Sequence, residues 1–79
     1  MKIKIVTLQA WCNKNITPLA WQRIVIKVLP SLREKGFELE ELENPDPNRY
    51  FDEEEFKLFS ETLSSVYQIT FPKEEIENI

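Results

Sequence analysis

Histidine is absent from this chain of 79 residues. The commonest general base at neutral pH and the commonest zinc ligand are therefore missing. Cysteine occurs once, as Cys12. That excludes an intramolecular disulfide and, without histidine, a structural zinc site, and it points to the reducing cytosol. Glycine also occurs once, as Gly36, which excludes a glycine-rich loop wrapped around phosphate. No metal and no cofactor are expected. Long apolar runs are lacking too. The longest, Ile24 to Leu29, is broken by Lys27, far short of the ~18 residues that cross a bilayer. The opening Met-Lys-Ile-Lys-Ile-Val alternates, whereas a signal peptide sets basic residues before an apolar block. The expectation is a cytoplasmic protein with no membrane contact.

What is present supports one small folded unit. Hydrophobic residues make up 42%, enough for a single modest core and too many for a disordered chain. Residues 1–72 are read as one α/β domain and 73–79 as an acidic C-terminal tail. Charge is unevenly placed. Positions 1–33 hold six bases (Lys2, Lys4, Lys14, Arg23, Lys27, Arg33) and no acid, a charge of +6. Positions 34–79 hold four bases and fourteen acids, a charge of −10, and the whole chain carries −4. In one reading the two halves meet and neutralise each other. In the other the protein is bipolar, and its acidic face engages a basic partner by complementary charge.

Periodicity gives an order of elements. Lys2 to Ala10 alternates early and reads as a strand covered on both sides. Cys12 to Asn15 reads as a loop. Thr17-Pro18 is a helix entry, with a capping hydroxyl and a proline suited to the first position. The run from Leu19 to Leu32 is apolar over most of its girth, with Pro30 expected to kink it and Gly36 to stop it. Its Arg23–Val28 stretch is β-branched and could instead be a strand that forms a hairpin with the first. Phe37 to Leu42 reads as a second strand and Asn44 to Asn48 as a rigid loop. Asp52 caps a second helix, with Glu53, Glu54 and Glu55 in its first turn and Phe56, Phe59, Leu63, Val66 and Tyr67 as its apolar stripe. Gln68 to Phe71 reads as a third strand. The fold class that follows is α/β, a two-layer or three-layer βαβαβ core. The alternative is an N-terminal β-hairpin with α+β packing.

Three local motifs bear on chemistry: Trp11-Cys12 after the first strand, Leu29-Pro30-Ser31-Leu32 followed by Gly36-Phe37-Glu38-Leu39, and Thr70-Phe71-Pro72 after the second helix. Together they resemble the thioredoxin/glutaredoxin-like superfamily, in a minimal, truncated form. The resemblance implies a redox role for Cys12 and a cis proline at Pro72 facing it. The second cysteine of the family's motif is replaced by Asn15, which leaves a monothiol. The helix also begins late, at Thr17-Pro18, and a helix N-terminus beside the thiol is what lowers its pKa.

Read from the residues themselves, Cys12 is an inert thiol at a strand end. Trp11 and Trp21 are core residues or, if exposed, binding anchors. The tentative binding set is Trp11, Glu38, Glu40, Glu41, Asp52, Glu53, Glu54 and Pro72. The acidic balance argues against direct nucleic-acid binding. The leading functional expectation is a non-catalytic protein-binding module whose partner carries a basic surface. The alternatives are a monothiol redox protein using Cys12, and a small acidic inhibitor, encoded by a mobile element, of a host nucleic-acid-binding protein. The oligomeric state stays open.

Overall fold

The computed structural model describes residues 2–72 and 74. Among these residues the chain forms a two-residue strand β1 (Ile3–Lys4), then helices α1 (Ile5–Asn15), α2 (Pro18–Glu34) and α3 (Leu39–Glu43). Strand β2 (Tyr50–Phe51) and helix α4 (Glu53–Tyr67) follow. The two strands pair antiparallel, Ile3 opposite Phe51 and Lys4 opposite Tyr50. No described helix is long and apolar enough to cross a membrane.

This corrects the α/β expectation. Among the described residues there is no βαβαβ core, no parallel sheet and no N-terminal β-hairpin: β1 pairs with a strand more than forty positions away. The alternation of the first segment ends by Val6. From Ile5 the buried residues are Ile5, Leu8 and Cys12, which is helical spacing and places them on one face. The helix opens where the Ile5 amide donates to the Arg49 carbonyl at 3.1 Å. Phe37 to Leu42 is not a strand. Phe37 and Leu42 are buried, but the acids between them form one exposed helical turn. Gln68 to Phe71 adopts no strand either. The tail expected over 73–79 lies outside the described residues except for Glu74.

The two main helices follow their sequence signals. Thr17 Oγ1 accepts from the Ala20 amide at 3.1 Å and Pro18 opens α2. The Arg23–Val28 stretch is helical, with Ile24, Val25 and Val28 buried, because burial of these side chains outweighs the small helix penalty of β-branched residues. Helix α2 runs through Pro30, which sits on the exposed face; water can there serve the Ile26 carbonyl that loses its donor. Gly36, at φ 95°, ends the helix. The Phe37 amide donates to the Leu32 carbonyl and the Gly36 amide to the Arg33 carbonyl, each at 3.0 Å, a Schellman arrangement in which Phe37 and Leu32 are both buried.

Helix α4 starts on a reciprocal box. Asp52 Oδ1 accepts from the Glu55 amide and Glu55 Oε1 accepts from the Asp52 amide, both at 2.9 Å. The core between α2 and α4 is aromatic. Phe59 lies 4.8 Å from Trp21, 5.9 Å from Phe51 and 5.8 Å from Phe71, centroid to centroid.

Candidate functional site

Cys12 lies inside α1, not at a strand end, and its side chain is fully buried. Burial withholds water from a thiolate, so the thiol is pushed up to about 12. That is far above the range of a free thiol. Trp11, one residue earlier, is half-buried, with its ring 5.0 Å from that of Phe71. Phe71 is buried and also meets Phe56, so the Thr70-Phe71-Pro72 segment is held against the body by its aromatic residue. Pro72 is half-buried, and no peptide bond among the described residues is cis. Trp21 is a core residue whose indole N–H donates to the Leu42 carbonyl.

The acidic candidates separate into two groups. Glu38, Glu40 and Glu41 line a cleft of about 390 Å³ together with Asn44, Asp46 and Arg49. The cleft forms because α3 carries its one buried side chain, Leu42, inward and turns its acids out. The loop then brings Asp46 back: Asp46 Oδ1 accepts from the Asn48 amide at 2.7 Å and its carbonyl from the Arg49 amide at 2.9 Å. Arg49 is the one cation lining this cleft. Its Nε lies 3.5 Å from Glu41 Oε2, and its guanidinium stands 4.4 Å from the centre of the Phe37 ring. It is therefore already held by a carboxylate and an aromatic face. Glu38, Glu40 and Asp46 remain exposed around it.

Asp52, Glu53 and Glu54 do not line that cleft. Asp52 is committed to the helix cap. Glu54 pairs with Lys35 at 2.9 Å and lines a separate depression with Lys35, Lys57 and Glu61. The hydrogen bond from Lys35 to Glu54 raises the lysine's pKa. Glu53 is exposed in the first turn of α4.

Two ion pairs join described residues, and both bind a base of the acidic half to an acid of that half. None of the six bases of positions 1–33 takes part in either, so neither of these two pairs joins the halves. Asp46 and Arg49 were missed in the sequence; the available signal was the Asn-Pro-Asp-Pro-Asn turn, which folds its acid back toward the preceding acidic run. Also missed were Leu19 and Ile26, which are 54% and 64% exposed on the outer face of α2. Among the described residues no group of cysteines and carboxylates is arranged to hold a metal ion. Compared with known proteins, the chain matches no family model, and no curated protein or solved structure is found to be similar.

Proposed function

We propose that the chain is a non-catalytic protein-binding module of the cytoplasm, and that it engages a basic surface of another protein through the cleft beneath α3. The observation that carries this is the charge of the cleft. Glu38, Glu40, Glu41 and Asp46 line it against one cation, Arg49, and that cation is already occupied by Glu41 and Phe37. A lysine or arginine of a partner would meet open carboxylates at Glu38 and Glu40, beside exposed Asp46, whose Oδ1 also holds the loop turn. Such a surface speeds encounter with basic partners and selects against acidic ones. A basic groove shaped for nucleic-acid phosphates is one kind of partner surface that fits this description. The redox alternative has less support, because the thiol it needs is buried and its thiolate disfavoured.

The test is affinity capture from the source cell with the wild-type chain and with Glu38→Gln/Glu40→Gln. Asp46 is left in place because its carboxylate holds the loop turn. A protein with a basic surface, retained by the wild type at low salt, should be lost at about 1 M salt, where the screening length shrinks to about 3 Å. The double variant should lose it at low salt. Retention by the variant, or binding indifferent to salt, sinks the proposal.

A further inference from the structure

The outward face of α2 plays no part in the cleft. Leu19, Ile26 and Pro30 follow at helical spacing along one line of that face. Leu19 is 54% exposed and Ile26 64%. Arg23, Lys27 and Arg33 flank them, all exposed, and none takes part in the ion pairs among the described residues. Apolar side chains left in water beside bases that these ion pairs leave out form a surface suited to an acidic partner.

The same chain carries an acidic cleft on different elements. Two copies could in principle meet α2 face to α2 face. That contact would set Arg23, Lys27 and Arg33 of one copy against the same bases of the other, with like charges opposed. A contact between the two unlike faces pairs bases with carboxylates. We infer that the chain associates head to tail with a second copy of itself, the α2 face of one copy seated on the α3 cleft of the next. This rests on the reading of the cleft as a docking surface. Arg23 and Lys27 supply cations to Glu38 and Glu40, and Leu19 and Ile26 leave water at the rim. Because the two faces differ, the contact is heterologous, and it builds short runs or rings, not a closed twofold pair. The net charge of −4 on every copy opposes long runs.

The test is sedimentation equilibrium of the full chain across concentration at low salt and near 1 M salt. The wild type should gain mass with concentration at low salt and return to monomer at high salt. R23E/K27E and E38K/E40K should each be monomeric alone. Mixed one to one they should associate again, because the exchanged charges are complementary in both directions. All four positions are exposed, and circular dichroism checks that both variants fold. A monomeric wild type at low salt overturns the inference, as do association that survives either variant and variants that stay monomeric on mixing. If the wild type is monomeric and Glu38→Gln/Glu40→Gln still loses a captured basic protein, self-association falls while the cleft stands. If self-association occurs and no basic protein is captured, the cleft serves this contact alone.

Discussion

The indole N–H of Trp21 donates to the main-chain carbonyl of Leu42 at 2.7 Å in a buried setting. Trp21 lies in α2 and Leu42 in α3, so one side chain ties the short acidic helix to the long one. The last carbonyls of a helix lack partners inside it, and a helix of five residues has little stability of its own. The acidic cleft therefore depends on a core residue.

Trp21→Phe keeps an aromatic ring and removes the donor. The Leu42 carbonyl is then buried without a partner, and the smaller ring leaves space. The expected cost is about 2–4 kcal/mol. Urea unfolding should show a lower midpoint with little change in slope. Amide exchange should show α3 losing protection before α2 does. Uniform loss across both helices would mean that the bond does not hold α3 locally.

Some of this was legible in the sequence. The Thr17-Pro18 entry, the Gly36 stop and the Asp52 cap are local signals with local causes, and the helices they bound formed where expected. The first segment misled because Lys2 to Val6 alternates while Ile5, Leu8 and Cys12 share a helical face; the two periods overlap for a few residues. The partner of β1 is also remote in sequence: Phe51 pairs with Ile3 from more than forty positions away, and no local pattern reports it. The acidic cleft was half legible. Glu38, Glu40 and Glu41 are adjacent in sequence, but that Asp46 and Arg49 join them and that Asp52–Glu54 do not is decided by a turn and a cap.

Phe59 is buried and meets Trp21, Phe51 and Phe71. It joins α4 to α2, to β2 and to the segment after α4. Phe59→Ala should cost about 3–5 kcal/mol, through lost burial and a cavity at the centre of a small core. In a chain of this size that is a large part of the total stability. Thermal unfolding followed by circular dichroism measures it, and a loss under about 1 kcal/mol would show that the ring contacts do not hold the core.

Asp52→Ala removes the acceptor for the Glu55 amide, and Glu55→Ala removes the acceptor for the Asp52 amide. Asp52→Ala should cost about 0.5–2 kcal/mol. Asp52→Asn keeps an acceptor and should recover most of it, which separates capping from the favourable charge at the helix start. Because the two bonds form one box, the double alanine variant should cost less than the sum of the singles. Strict additivity in denaturant unfolding would mean that the two bonds act independently.

Cys12 decides between a binding module and a redox protein, and its burial gives the direction. Its thiol is raised from 9.0 to about 12 by desolvation. Below 9.0 the thiol is neutral in both folded and unfolded chains and adds no pH dependence. Above 9.0 the unfolded chain ionises while the folded chain holds its proton, so the stability linked to this group is lost as pH rises from about 9 toward 12. Alkylation should follow the same logic, because thiolate is the reactive form. Iodoacetamide should modify the native chain slowly at neutral pH, at a rate that tracks opening and rises with added urea. The urea-unfolded chain should react with a midpoint near 9.0. Cys12→Ala should leave partner capture unchanged at equal folded concentration. A native midpoint below about 7 would mean a stabilised thiolate; the buried position of Cys12 would then be wrong, and the monothiol redox function would displace the binding module.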